Sequence, residues 1–130
     1  MSAGLPSDVA AFIDSSLTSM TDLEVLLELA RAQRAVTPET LANVLLISAD
    51  HARQALGSLR RAGVVGSGSE PGTWSYAAQD GETNACVTWL LANFRAYRVA
   101  ITSRIFSGPT DKIAGLAEGF LFRRPKDDDG

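Results

Sequence analysis

The segment from residue 37 to residue 63 constrains the fold most, because it holds the start and stop signals of two consecutive helices. Thr37 followed by Pro38 is typical of a helix N-cap and its first residue. Ser48 offers a second N-cap about three turns later, so the helix that begins at Pro38 must be short. The next helix, residues 49–62, ends at Gly63, which suits the left-handed position after a helix. Its apolar face consists of Ala52, Ala55, Leu56 and Leu59.

Two helices are predicted before this segment. The first spans residues 8–17, with Ser7 as the expected N-cap. Its apolar face consists of Val9, Phe12, Ile13 and Leu17. The second spans residues 22–33 and follows a capping box formed by Thr21 and Glu24. This second helix is apolar on more than one side, which predicts that it is buried.

A β-hairpin is predicted after Gly63. Val64 and Val65 indicate a short strand, and residues 73–76 indicate a second one. The stretch 66–72 between them is rich in glycine and serine, which is typical of a turn, so the hairpin should have a loose tip.

The longest helical pattern covers residues 82–106 and would give a helix of about 38 Å. Gly108 and Pro109 stop it, and Thr110 caps a last short helix. The apolar face of the long helix consists of Val87, Leu90, Leu91, Phe94, Tyr97, Ile101 and Ile105. That of the last helix consists of Ile113, Leu116, Ala117, Phe120 and Leu121. The predicted fold class is therefore mostly α with a small β-hairpin.

The composition excludes several classes of function. The single cysteine, Cys86, and the single histidine, His51, allow no intramolecular disulfide, no cysteine-rich zinc site and no catalytic triad of the usual kind. We therefore expect no enzymatic activity, no metal and no cofactor. The first twenty residues lack Lys and Arg, and no apolar stretch reaches the about 20 residues that span a bilayer. A cytoplasmic protein without a secretory signal or a membrane span is the expectation.

The charge is distributed unevenly along the chain. The formal net charge is −3, from 12 basic and 15 acidic residues. Residues 1–75 carry five arginines and eight carboxylates, whereas residues 76–126 carry seven basic and four acidic side chains. Asp127, Asp128 and Asp129 follow. The N-terminal part is thus acidic, which disfavours strong electrostatic attraction to nucleic acid.

The order of elements resembles a winged helix-turn-helix domain over about residues 20–78. The stretch Thr37–Ser48 is similar to the second helix and turn of that superfamily, and Ala49–Val65 to its third helix running into the wing. The superfamily often has glycine where Leu46 stands, so the turn is expected to be opened or packed differently. The remainder resembles the C-terminal helical extension of small bacterial winged-helix proteins. Four segments are predicted: an N-terminal helical arm (1–19), a winged helix-turn-helix domain (20–79), a C-terminal helical dimerisation extension (80–122) and a disordered tail (123–130).

The resemblance implies duplex DNA as the partner, with helix 49–62 in the major groove and the wing against phosphate. The residues expected to recognise bases are Asp50, Arg53, Gln54, Ser58 and Arg61. Arg60, Ser67 and Ser69 are expected near phosphate. The wing has no Lys or Arg between Val64 and Ala78. The chain is therefore interpreted as a DNA-binding transcriptional regulator or, alternatively, as a winged-helix protein–protein interaction module.

Homodimerisation is expected through residues 85–121, because a long helix with apolar residues on more than one side rarely stands alone in water. The predicted interface residues are Trp89, Leu90, Phe94, Tyr97, Arg98, Ile101 and Ile105. Arg98 falls inside the apolar stripe, so it must be paired within the chain, extend its charged end to solvent or contact a partner.

Overall fold

The computed structural model describes residues 5–107, and this range contains six helices and one two-stranded antiparallel sheet. The elements are α1 (Ser7–Ser16), α2 (Met20–Ala32), α3 (Pro38–Leu45), α4 (Ala49–Ala62), β1 (Val65–Ser67), β2 (Trp74–Tyr76), α5 (Gly81–Asn93) and α6 (Arg98–Ser107). The prediction of a mostly α fold with a small β-hairpin is confirmed. The predicted helix after Thr110 and the predicted tail lie outside the described residues.

The caps of α3 and α4 are those that the sequence predicts. Thr37 Oγ1 accepts a hydrogen bond from the backbone N–H of Thr40 at 3.1 Å, and Ser48 Oγ accepts one from His51 at 3.0 Å. Gly63 ends α4 with φ of 83°, a left-handed conformation that glycine adopts without strain. These signals fix where both helices begin and where the second ends.

The predicted starts of the first two helices are wrong. Ser19, not Thr21, caps α2, because its Oγ accepts a hydrogen bond from the backbone N–H of Asp22 at 3.1 Å. Ser19 also has an acidic residue three positions later, so it satisfies the same capping pattern as Thr21. Ser7 lies inside α1, whose N-cap position is Pro6.

The hairpin pairs Val65 with Tyr76 and Ser67 with Trp74. An additional antiparallel bridge joins Val36 to Trp74, with both backbone hydrogen bonds at 2.8 Å. The tip is less loose than predicted, because the N–H of Gly68 donates to the carbonyl of Thr73 at 2.8 Å. A Cβ on Gly68 would lie 2.3 Å from Thr73 Oγ1 and 2.5 Å from Ala35 Cβ. Only glycine fits at position 68, because the hairpin lies close to Ala35 there.

The predicted single helix over residues 82–106 is wrong: α5 ends at Asn93, and a turn over residues 94–97 separates it from α6. The side-chain amide of Asn93 donates to the carbonyl of Trp89 at 2.9 Å, a local bond of the kind that disfavours a helix interior. The turn lets α6 pack against α1 and α2, whereas a straight helix would carry Ile101 and Ile105 past the core. Arg104 on α6 makes an ion pair with Asp14 on α1.

One hydrophobic core joins α1 to the rest of the described chain. Val9, Phe12 and Ile13 of α1 belong to the same buried cluster as Leu23 of α2 and Leu90 of α5. The segment predicted as an N-terminal arm is therefore part of the core, and so are α5 and α6, which were assigned to an extension. Within residues 5–107, no helix is long and apolar enough to cross a membrane.

Candidate nucleic-acid interface

Helix α4 is held by one face and exposes the other. Ala52, Leu56 and Leu59 are fully buried and anchor it against α2 and α3. Most of the predicted base-recognition residues lie on the opposite, exposed face. They are Asp50, Arg53, Gln54 and Arg61. Arg60 is exposed as well, so the structure brings five of the predicted DNA-contact residues together along one helix.

Arg53 is engaged by two carboxylates of the same chain. Its Nη1 lies 3.0 Å from Asp50 Oδ1, and its Nη2 lies 2.5 Å from Glu39 Oε2 on α3. These three side chains carry a net charge of −1 together. The start of α4 therefore repels phosphate, and Arg53 could contact DNA only by leaving these two carboxylates.

Ser58 is also engaged within the chain. Its hydroxyl donates to Asp22 Oδ2 at 3.0 Å, and the same oxygen accepts hydrogen bonds from the backbone N–H of Thr18 at 3.0 Å and from Thr18 Oγ1 at 2.7 Å. Asp22 is only 3% exposed. This buried carboxylate joins the α1–α2 connection to α4, so Ser58 positions the helix rather than presenting a free hydroxyl.

Sequence reasoning missed the role of Asp22. The available signal was the pair Ser19 and Asp22, which has the spacing of a capping box. A cleft of about 560 Å³ opens beside this carboxylate, between the start of α2 and α4. The α4 side of the cleft carries His51, Gln54 and Arg61. The start of α2 and the neighbouring edge of α4 thus enclose a cleft with polar walls.

The two arginines at the end of α4 differ in their surroundings. Arg60 stacks over the ring of Trp74 on β2, with its guanidinium carbon 5.9 Å from the ring centre. Arg61 extends along α4 past Gly57, since a Cβ on Gly57 would lie 3.7 Å from Arg61 Nη1. Neither makes an ion pair with any residue in the described range. They are the positive charges of α4 that a phosphate could reach without breaking an ion pair.

Arg34 is a further exposed cation that the sequence reading did not select. It lines a small cleft with Ser75 and Tyr76, on the same strand that Arg60 contacts through Trp74. The predicted wing contacts Ser67 and Ser69 are exposed but uncharged. Arg34 and Arg60 therefore place positive charge beside β2, which partly compensates for a hairpin that carries none.

The predicted dimer residues do not share one surface. Leu90, Ile101 and Ile105 are buried in the core of their own chain, so they are not open to a partner in this structure. Leu90 lies on the inner side of α5, and the turn at 94–97 folds α6 inward with Ile101 and Ile105. The other predicted aromatic residues, Trp89, Phe94 and Tyr97, are partly exposed. Trp89 packs edge-on against Tyr97, with 4.9 Å between the ring centres. Arg98 is exposed and stacks over Phe94, with its guanidinium carbon 5.6 Å from the ring centre, so its charged end extends to solvent.

Cys86 lies at a separate cleft, between α1 and α5. Its Sγ is 3.5 Å from the carbonyl oxygen of Asp8. Burial and then the nearby carboxylates of Asp8 and Glu82 raise the pKa of the thiol, which keeps it protonated and weakly nucleophilic. The environment of Cys86 favours packing over redox chemistry.

The described residues include no group of three or more His, Cys, Asp or Glu side chains placed to hold a metal ion. No protein-family model, curated protein or solved structure matches the chain. The interpretation of its function therefore rests on the geometry of α4, the hairpin and the charges around them.

Proposed function

We propose that the chain is a winged-helix DNA-binding transcriptional regulator of the cytoplasm, which acts as a homodimer and places α4 in the major groove of duplex DNA. The observation that carries the proposal is the outer face of α4, which stands free while its inner face is anchored in the core. A helix with side chains is about 10–12 Å wide, which fits a major groove of about 12 Å. Gln54 lies exposed on this face and has suitable chemistry for adenine, and Arg61 beside it has suitable chemistry for guanine or phosphate.

Gly57 supports close approach of a partner to α4. A glycine within a helix costs about 0.5–1 kcal/mol relative to alanine. A Cβ at Gly57 would meet only the end of Arg61 at ordinary contact distance, so nothing within residues 5–107 requires glycine there. Glycine at this place leaves the α4 backbone open to a surface such as a DNA groove.

Phosphate contact is assigned to Arg34, Arg60 and Arg61. All three are exposed and make no ion pair with another described residue. Arg60 and Arg34 both lie against β2, so they can bring the hairpin to the DNA backbone although it has no positive charge of its own and carries Glu70 at its tip. Counterion release by so few cations predicts modest affinity, and log K should fall against log[salt] with a slope of about −0.9 for each phosphate contacted.

The test is fluorescence anisotropy of a random-sequence duplex titrated with the full chain at low and near-physiological salt. We expect binding in the micromolar range at low salt, with marked weakening at the higher salt concentration. Arg61→Ala should weaken binding several-fold on every duplex, and Gly57→Ala should weaken it while raising thermal stability. Arg95→Ala removes the same charge from the α5–α6 turn and is the matched control. No binding at low salt, or an equal loss with Arg95→Ala, would contradict the proposal.

The homodimer part of the proposal rests on the partly exposed aromatic residues Trp89, Phe94 and Tyr97. Light scattering at tens of micromolar protein should give twice the chain mass of 13.8 kDa. Trp89→Glu should return the protein to the monomer mass with its helical content unchanged. A monomer at these concentrations would remove the two-fold DNA model.

A protein–protein interaction module is the second candidate, and the α3–α4 turn favours it. Val44 is 53% exposed, and Leu46 is 89% exposed in a left-handed conformation. Beside them, Arg53 is neutralised by Glu39 and Asp50. An apolar corner beside an acidic helix start is better suited to a protein than to phosphate. If DNA binding is absent at low salt, this candidate replaces the first.

A further inference from the structure

The two oxygens of the buried Asp22 carboxylate have very different surroundings. Oδ2 accepts three hydrogen bonds, from the backbone N–H and the hydroxyl of Thr18 and from the hydroxyl of Ser58. Among residues 5–107, no group donates a hydrogen bond to Oδ1. A carboxylate accepts hydrogen bonds at both oxygens, and a buried charged oxygen without a donor is unfavourable. Asp22 Oδ1 is therefore available to a donor from outside these residues.

The cleft between the start of α2 and α4 is the place where another molecule can reach this carboxylate. Asp22 is 3% exposed, and it is one of the residues that line the cleft. The volume of the cleft, about 560 Å³, is within the range of about 300–1,000 Å³ that small-molecule sites occupy. A buried acceptor thus lies in the wall of a cleft that is large enough for a small organic molecule.

The α4 wall of the same cleft carries a cation. Arg61 lines the cleft and makes no ion pair with any residue in the range 5–107, Asp22 included. A Cβ on Gly57 would lie 3.7 Å from Arg61 Nη1, so the guanidinium lies beside the residue that precedes Ser58. Ser58 is the residue of α4 that is bonded to Asp22. The guanidinium and the carboxylate are therefore at the same level of α4 without neutralising each other.

These groups define the chemistry of a ligand. Asp22 Oδ1 requires a donor, and an ammonium group donates a strong, charge-assisted hydrogen bond to a carboxylate. The planar guanidinium of Arg61 is suited to a carboxylate, which it binds through two parallel hydrogen bonds. Gln54 and His51 extend the α4 wall and can each donate or accept a hydrogen bond. Two opposite charges in one cleft favour a molecule that carries both charges itself.

We propose that this cleft binds a small zwitterion of the amino acid class, with its ammonium group at Asp22 Oδ1 and its carboxylate at Arg61. A ligand in this position holds Arg61 and covers Gln54, which the proposed function assigns to DNA. Its binding therefore weakens the binding of duplex DNA, and linkage requires DNA to weaken ligand binding by the same factor. This regulatory step rests on the proposed DNA-binding function, whereas the ligand site does not.

Chemical-shift titration of the full chain by NMR tests the ligand site without DNA. The probes are glycine, β-alanine and γ-aminobutyrate, which differ in the length of carbon chain between ammonium and carboxylate. We expect saturable shifts of the Thr21, Gln54 and Ser58 amides with at least one probe, at concentrations on the order of millimolar. The N-acetyl form of that probe lacks the ammonium and its amide form lacks the carboxylate, so each should bind about tenfold or more weakly. No saturable shift with any probe, or equal affinity of the blocked forms, would overturn the proposal and leave the cleft to water.

Variants test which side chain holds each end of the probe. Asp22→Asn keeps an oxygen for Thr18 and Ser58 and turns an amide donor toward the cleft, so affinity for the zwitterion should fall about tenfold or more. Arg61→Ala should cause a similar loss, and because Arg61 is exposed, this variant is decisive even if Asp22→Asn is unstable. Arg95→Ala, the same change on the α5–α6 turn, should leave the affinity unchanged. Unchanged affinity in Arg61→Ala, or an equal loss in Arg95→Ala, would contradict the assigned site.

Fluorescence anisotropy of a random-sequence duplex at low salt, with and without the saturating probe, tests the regulatory step. The probe should weaken duplex binding several-fold in the natural chain and should have no effect in Asp22→Asn. If the duplex binds equally well to the saturated protein, the regulatory step is wrong. If no duplex binds even without the probe, the proposed function has failed, and the NMR titration still decides whether the cleft binds the zwitterion.

Discussion

Residues 18–63 and the α5–α6 segment contribute to one hydrophobic core but are held in place by different interactions. In the first region, the buried carboxylate of Asp22 joins the start of α2 to α4 through hydrogen bonds with Thr18 and Ser58. In the second, α6 is held by apolar packing of Ile101 and Ile105 and by the partly exposed pair of Arg104 with Asp14. The candidate DNA-binding helix is therefore fixed in orientation by polar groups, whereas α6 is fixed by the amount of apolar surface that it buries.

Truncation of Ile101 should have the largest effect on stability. Ile101 is fully buried, so Ile101→Ala should lower the free energy of unfolding by about 3 kcal/mol through lost burial and a cavity. Urea denaturation followed by circular dichroism measures this loss. Because α6 shares the core with α1 and α2, the transition should remain a single step and shift as a whole. Loss of α6 alone, with α2–α4 unfolding at the unchanged urea concentration, would show that the two regions fold independently.

Removal of the Asp22 carboxylate should have the next largest effect. Asp22→Ala leaves the donors of Thr18 and Ser58 without their acceptor in a buried site, which should cost about 2–3 kcal/mol. Asp22→Asn keeps an acceptor oxygen and should lose less. Arg104→Ala removes the more exposed ion pair of α6 and should cost less than about 1 kcal/mol. Equal losses for Asp22→Ala and Arg104→Ala, measured by urea denaturation, would remove the proposed difference between the two regions.

The same contrast explains how much could be predicted from the sequence. Thr37, Ser48 and Gly63 are local signals, and each marks the helix end that the structure has. The break after Asn93 has only a weak local signal, because the apolar spacing continues through Phe94 to Ile105. Spacing shows which side of a helix is buried but not whether that helix is continuous. The break between α5 and α6 at residues 94–97 lets α6 pack against α1 and α2. A pattern of apolar residues along the chain cannot show such packing.

The exposed face of α4 could be predicted from the sequence, but the interactions of its side chains could not. The exposed face of α4 follows from its apolar spacing, so Gln54, Arg60 and Arg61 lie where they were expected. The engagement of Arg53 by Glu39 depends on contact between α3 and α4, and that of Ser58 depends on Asp22, 36 residues away in the chain. Such contacts come from tertiary structure. The apolar periodicity of α4 therefore predicts which face is exposed, but it does not predict which side chains on that face are already bonded to other residues.

Substitution of Leu46 by glycine should change stability by a smaller amount and in the opposite direction. Its φ of 60° lies in the left-handed region, where a non-glycine residue is strained, and its side chain is 89% exposed. Leu46→Gly should therefore stabilise the protein by about 0.5 kcal/mol, as relief of strain exceeds the added entropy of the unfolded chain. Asn43→Gly, on the exposed side of α3, is the control and should destabilise by about 1 kcal/mol. A loss of stability with Leu46→Gly would show that Leu46 makes a stabilising contact in solution, as a protein-binding corner would.

The smallest expected effect is the pH dependence of the start of α5. Asp80 caps this helix, and the hydrogen bond that its carboxylate accepts from the N–H of Thr83 lowers its pKa below the ordinary value of 3.8. A lowered pKa means that the stabilisation is fully present above pH 3.8 and is lost as the pH falls through the folded value. Hydrogen exchange or the amide chemical shift of Thr83, followed over this range, should report fraying of the first turn of α5. Asp80→Asn keeps the cap without its titration. If the variant frays with the same pH dependence as the natural chain, the titration belongs to another carboxylate, and the end of α5 is held by packing like the rest of its region.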